Sequence, residues 1–109
     1  MNPEIEKIFR NEEVEIVKIK IKGRDFTGIK INLPNAPLIV IESKELIIGC
    51  GYIDADVMEK VGNAACIVTG VKTFEDVLKA EIKTITSKAA KLGIKPGMPV
   101  ISAIEMLSD

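Results

Sequence analysis

Histidine is absent from the sequence, and so are tryptophan and glutamine. Without imidazole the chain can build neither a Ser-His-Asp nor a Cys-His catalytic pair, and it lacks the usual ligand of zinc and non-haem iron sites. Cysteine is nearly as scarce. Cys50 and Cys66 stand 16 positions apart with no other thiol near them, which is a poor metal set, so no metal and no cofactor are expected. Tyr52 aside, the aromatics are Phe9, Phe26 and Phe74, too few for a series of base-stacking platforms. Neither charge sign dominates: 15 basic side chains face 16 acidic ones. No broad basic field draws in nucleic acid or an anionic membrane. Long apolar runs are missing too. Residues 37–41 and 46–48 fall far short of the roughly 20 residues of a membrane helix, and the first fifteen residues contain early acids and no apolar signal-peptide segment. The expectation is a cytoplasmic protein with free thiols, and abundant Ile, Lys and Glu point to a heat-adapted source.

What is present is a chain of 109 residues, enough for a single domain and too little for two cores. Residues 2–9, NPEIEKIF, read either as a short N-terminal helix, with Asn2 as N-cap, Pro3 at the first helical position and Ile5, Ile8 and Phe9 on one side, or as a frayed terminal arm. Residues 13–22, EVEIVKIKIK, alternate strictly. Val17, Ile19 and Ile21 share one strand face, while Lys18, Lys20 and Lys22 share the other. Gly23-Arg24 reads as the turn into 25–33, DFTGIKINL, with Thr27, Ile29, Ile31 and Leu33 on one face and Lys30 and Asn32 on the other. After Pro34 and Pro37, LIVIE (38–42) and LIIGC (46–50) predict a second hairpin buried on both faces.

From Asp54 the apolar period becomes helical through Ile53, Val57, Met58 and Val61, and Gly62 supplies the stop. ACIVTGV (65–71) is a further buried strand. Thr73 and Asp76 nearly form a capping box for the next helix. A short strand at 81–86, a helix ending at Gly93, a Pro-Gly turn and a last helix starting at Pro99 complete the chain. The fold class is α+β: N-terminal antiparallel hairpins lead into a mixed sheet, with helices packed mainly on one face.

Two strand-to-helix turns hold the candidate site. In the first, Gly49, Cys50 and Gly51 precede a helix opened by Asp54. Two readings stand side by side. Cys50 is a nucleophile or redox thiol, with Asp54 or a carboxylate of a neighbouring subunit as proton acceptor. Alternatively, Cys50 is a small core residue, the glycines permit close packing, and Asp54 is an N-cap. In the second turn, TGVKT (69–73), Gly70 and Lys72 precede a helix start where a phosphate or carboxylate could lie. The spacing is not that of a P-loop. Gly49, Cys50, Gly51, Gly70 and Lys72 are therefore the candidate ligand-binding residues, and Cys50 and Asp54 the catalytic candidates. Cys66, inside AACIV, reads as core.

The segments GRDFTGIKINLP (23–34), GCGYID (49–54), AACIVTGVKTFEDVLKAEI (64–82) and KLGIKPGM (91–98), in this order and spacing, resemble the YunC-like family of small bacterial and archaeal proteins. That family is catalogued as a domain of unknown function. The resemblance runs over residues 18–107 and implies one domain across 1–109, with 1–12 as a helical addition. It also implies assembly: residues 13–33 would form a β-hairpin through which four copies associate. No catalytic mechanism comes with it. Apolar side chains on both faces of the first hairpin, near Val14 and Ile16, support self-association independently, because one small domain covers both faces with difficulty. Pairing with another chain would also cap the exposed strand edge. The functional expectation is a homotetramer that binds a small anionic ligand or a protein partner at the two turns, the alternative being a thiol-dependent enzyme using Cys50.

Overall fold

The computed structural model describes residues 3–107. Strands β1 (Glu4–Arg10), β2 (Val14–Ile21), β3 (Arg24–Ile31), β4 (Leu38–Glu42), β5 (Ile47–Gly49), β6 (Ala65–Ile67) and β7 (Thr84–Ile85) form one sheet in chain order. All neighbours are antiparallel except β5 and β6, which run parallel across α1 (Ala55–Val61). Helices α2 (Phe74–Lys79), α3 (Ser87–Lys91) and α4 (Val100–Leu107) complete the α+β fold.

The register of the first three connections fixes the two faces of the sheet. Val17, Ile19 and Ile21 lie opposite Gly28, Phe26 and Arg24, and directly opposed residues share a face. Gly28 in turn pairs with Ile41 and Lys30 with Ile39. This is the core face. Val17, Ile19, Phe26, Ile39 and Ile41 are all buried there with Phe74, Val77 and Leu78 of α2 and Val100, Ala103 and Ile104 of α4. Gly28 makes the close approach of α2 feasible. A Cβ at that position would lie 2.7 Å from Phe74 Cε1 and 2.8 Å from Val17 Cγ2, so the Phe74 ring takes the space a side chain would need.

The opposite, outer face is apolar as well. Phe9, Ile16, Ile29 and Val40 lie in one row across β1 to β4, and Val14, Ile31 and Leu38 form a second row beside it. Phe9 remains 49% exposed and the rest of both rows are only half-buried. Leu38 and Val40 therefore correct the expectation that the second hairpin is buried on both faces. β4 alternates between the buried Ile39 and Ile41 and this open side.

Two local expectations also change. Residues 4–10 form a strand instead of a helix. Pairing with β2 satisfies the backbone along its length, whereas a helix of two turns is marginal by itself. The adjacent apolar residues Ile8 and Phe9, which look helical in sequence, are accommodated by a register shift between Lys7 and Phe9 that turns Phe9 toward Ile16. The Asn2 N-cap lies outside the described residues. Because β1 covers β2, the edge of the first hairpin is capped within the chain. The free edge is β1 itself, guarded by Glu4, Glu6, Lys7 and Arg10. The hairpin turn is Lys22-Gly23, not Gly23-Arg24. Lys22 and Gly23 both take positive φ, 49° and 77°, as a two-residue type I′ loop requires, and Arg24 pairs with Ile21.

The helix caps follow the sequence closely. Asp54 accepts the Asp56 N–H, and Gly62 closes α1 in the left-handed conformation. Thr73 caps α2 through the Asp76 N–H, and the Asp76 carboxylate accepts from Lys72 N–H, one residue ahead of the usual capping-box partner. At α3 the cap is borrowed. The buried Thr86 hydroxyl donates to Asn63 O at 2.7 Å and accepts from Ala65 N–H at 2.9 Å, which ties β6 to the α3 start. Glu59 of α1 supplies the missing acceptor to Ser87 N–H at 2.8 Å. Hydrogen bonding from the Ser87 backbone, then from its side chain, holds the Glu59 carboxyl below its ordinary value of 4.5, with Lys91 adding to the effect. The folded protein thus binds this proton less readily than the unfolded chain. The stabilisation is complete at neutral pH and is lost as pH falls through the lowered value. Replacing Glu59 with Gln is expected to lower the melting temperature at pH 7, and the gap from the unmodified protein should close in acid. Melting curves recorded across pH test this; a gap that is constant with pH rules out a contribution from the charge.

Candidate functional site

The carboxyl ends of the parallel pair β5 and β6 point to one end of the sheet, where each strand turns toward a helix. After β5 the chain passes through residues 50–53 into α1, and the Ile53 N–H donates to Cys50 O at 3.0 Å to close that turn. After β6 it passes through residues 68–72 into α2, with Gly70 at φ 72°, a left-handed position that favours glycine. The segment entering β4 lies alongside, because β4 is antiparallel to β5. Between these three stretches lies a cavity of about 340 Å³.

Cys50, Gly51, Gly70 and Lys72 all line this cavity. The two turns singled out in the sequence thus meet in space. Gly49 does not line it. Gly49 serves packing: a Cβ there would stand 2.6 Å from Ile53 Cγ1 and 2.9 Å from Ile53 Cβ. Asp54 also lies outside the lining, and its carboxylate is engaged as the α1 cap at 2.8 Å from Asp56 N. The remaining walls are Ala36, Pro37, Tyr52 and Val71, which sequence reasoning missed. A signal for them existed: once residues 38–42 and 46–50 are paired as a hairpin, residues 36–37 must lie beside residues 51–52. Tyr52 donates its hydroxyl to Ala36 O across that junction at 3.4 Å.

The lining is mostly apolar, with a few polar groups at its margin. Cys50 is 4% exposed, and its Sγ accepts the Ile39 N–H at 3.4 Å. The Lys72 ammonium forms no ion pair among the described residues, and the main-chain N–H groups of Gly51, Tyr52, Gly70 and Val71 donate to none of them. Both adjacent helix N-termini already carry an acidic side chain: Asp54 caps α1, and Asp76, in the first turn of α2, accepts from Lys72 N–H. An anion at this end of the sheet would therefore meet Lys72 and turn N–H groups, not open helix ends. Cys66 is elsewhere. It lies fully within the core, and burial pushes its thiol up to about 12, which makes it a poor nucleophile. Among the described residues no three His, Cys, Asp or Glu side chains come together as a metal site, and no helix is long and apolar enough to cross a membrane.

Comparison with known proteins places this arrangement in context. The chain is 33% identical over 89 residues to the protein described as "Uncharacterized protein YunC" of Bacillus subtilis (strain 168), covering 78% of this chain and 88% of that one. Its fold matches the crystal structure of a protein of unknown function, TA1206 from Thermoplasma acidophilum, with a TM-score of 0.84 and 35% identity over 92% of this chain and 98% of that one. Residues 49–107, which include the first turn, the second turn and every helix, match the domain of unknown function DUF1805. The chain is a member of the YunC-like DUF1805 family.

Proposed function

We propose that the protein is a cytoplasmic homotetrameric binding module that joins its copies through the outer face of the sheet and takes a small anionic molecule in the cavity at the ends of β5 and β6. One observation carries the binding reading: residues from two separate strand-to-helix turns converge on a cavity lined by an ammonium and by residues whose backbone donors have no partner among the described residues. Gly51, Tyr52, Gly70 and Lys72 are solvent-exposed, so their donors are hydrated in the free protein and are available to an anion that settles against the concave apolar surface. The residue rows that support assembly lie on the outer face, whereas Cys50 packs with the core-face cluster. Assembly through that face leaves the cavity free. Thermal-shift measurements with nucleotides, sugar phosphates and carboxylates test the reading. Stabilisation by an anion that disappears in a Lys72→Met variant is expected, and no stabilisation by any anion would remove it.

A second reading, thiol chemistry at Cys50, draws support from the cavity contact of that residue and from the Ile39 N–H donor on its sulfur. Iodoacetamide applied to the native protein should alkylate Cys50 and leave Cys66 untouched, as peptide mass mapping would show. A native protein in which neither thiol reacts excludes the enzyme.

A further inference from the structure

We infer that the cavity at residues 50–52 and 70–72 selects an apolar monocarboxylic acid, such as a short aromatic or branched-chain acid, over a nucleotide or sugar phosphate; this rests on the binding reading above. The walls decide the body of the ligand. Ala36, Pro37, Val71 and the Tyr52 ring are the main surfaces, and none of them offers a carboxamide or carboxylate to pair with sugar hydroxyls. Burying such hydroxyls unpaired is costly. The single side-chain hydroxyl among the described lining residues, on Tyr52, is already directed at Ala36 O. At about 340 Å³ the space lies at the small end of ligand cavities, suited to a compact group and not to a base, sugar and phosphate together.

The charge decides the head group. Among the described residues Lys72 is the one cation in the lining. The carboxylates of Asp54 and Asp76 have taken the positive ends of α1 and α2, so no helix end adds to it. The exposed Lys72 ammonium matches the single charge of a carboxylate and only half the charge of a dianionic phosphate. A carboxylate also accepts several hydrogen bonds, and the N–H groups of Gly51, Tyr52, Gly70 and Val71 are without partners among the described residues. One cation, a set of backbone donors and an apolar chamber together describe a receptor for a hydrophobic monoanion.

The test uses the full chain labelled with ¹⁵N and four probes: phenylacetate, phenylacetamide, adenosine monophosphate and inorganic phosphate. Phenylacetate should shift the amide resonances of Gly51, Gly70 and Val71 and bind about tenfold more tightly than its neutral amide, the difference a charge-assisted contact supplies. Lys72→Met should erase that preference while the spectrum stays dispersed. Tighter binding of either phosphate probe at these amides overturns the carboxylate assignment and leaves the anion-binding reading standing. Equal binding of phenylacetate and phenylacetamide, or a preference that survives Lys72→Met, overturns the role of the charge. If no probe moves these amides, both the assignment and the underlying reading fall.

Discussion

Replacing Ile29 with Asp is expected to break the proposed tetramer into monomers while leaving the fold intact. Ile29 stands at the centre of the outer face, between Ile16 on β2 and Val40 on β4, with Phe9 completing the row. Because these residues point away from the helices, a carboxylate here stays hydrated in an isolated subunit. Between two apolar faces it must be desolvated without a partner, once for every copy. At about 25 cal/mol per Å², covering a few hundred Å² of such surface contributes several kcal/mol to assembly, and a buried carboxylate offsets much of it. The expected rise in the dissociation constant is about 100-fold or more, equivalent to about 3 kcal/mol. Light scattering coupled to size exclusion at micromolar concentration measures it, with far-ultraviolet circular dichroism as the check on folding. If the unmodified protein is itself monomeric at that concentration, the outer face is not a joining surface. Strand addition at the β1 edge is the competing mode of association, and the charges of Glu4, Glu6, Lys7 and Arg10 oppose it.

The two-faced character of this sheet is legible in the sequence, but its orientation is not. Any two-residue hairpin loop between residues 13–22 and 25–33 pairs odd-numbered positions of the first strand with even-numbered positions of the second. The stripes Val17-Ile19-Ile21 and Thr27-Ile29-Ile31 must then fall on opposite sides, whichever two residues make the turn. What the alternation does not reveal is which stripe meets the helices. That is settled by Phe74, 46 positions away in sequence but adjacent in space, which fits only over a residue without a side chain, Gly28. Residues 4–10 are ambiguous in sequence for a related reason. Their apolar positions Ile5, Ile8 and Phe9 match a helical period because the strand contains a register shift, and an irregular strand and a short helix then look alike in one dimension. The helix at 55–61 shows the reverse. Its period and both caps are legible, yet Val57 and Val61 are 52% and 66% exposed, because the stripe that predicts a helix does not also supply something to bury it.

The site divides along the same line. Local chemistry identifies the turns at residues 49–51 and 69–72, since glycines before a capped helix start are a sequence-level signal. Their convergence depends on the parallel pairing of Ile47, Ile48 and Gly49 with Ala65, Cys66 and Ile67, a long-range contact that local pattern does not encode. The apolar walls supplied by Ala36 and Pro37 need the hairpin register as well.

The two glycines flanking Cys50 should respond very unequally to the same substitution. Neither takes a positive φ, so each is tested on space and not on backbone conformation. At Gly49, an added Cβ meets Ile53 Cγ1 at 2.6 Å and Ile53 Cβ at 2.9 Å. The second contact cannot be relieved by rotating the Ile53 side chain, since its Cβ is fixed to the backbone, so the chain itself must move. Gly49→Ala is expected to destabilise the protein by about 1–3 kcal/mol, the usual cost of overpacking. The displacement passes through the Ile53 N–H to Cys50 O bond into residues 50–52, which wall the cavity, so binding should weaken in the same variant. At Gly51 the nearest atom to an added Cβ is Thr69 Cγ2 at 3.7 Å, ordinary contact, and Gly51→Ala should change stability by no more than about 0.5 kcal/mol. Ile53→Ala placed on Gly49→Ala removes the closest clash and should recover part of the loss, a coupling that a double-mutant cycle isolates. Urea denaturation of Gly49→Ala, Gly51→Ala, Ile53→Ala, the Gly49→Ala/Ile53→Ala pair and the parent decides the matter. Equal stability for the two glycine variants would mean that the first turn yields readily, and that Gly49 is no more a packing device than its neighbour.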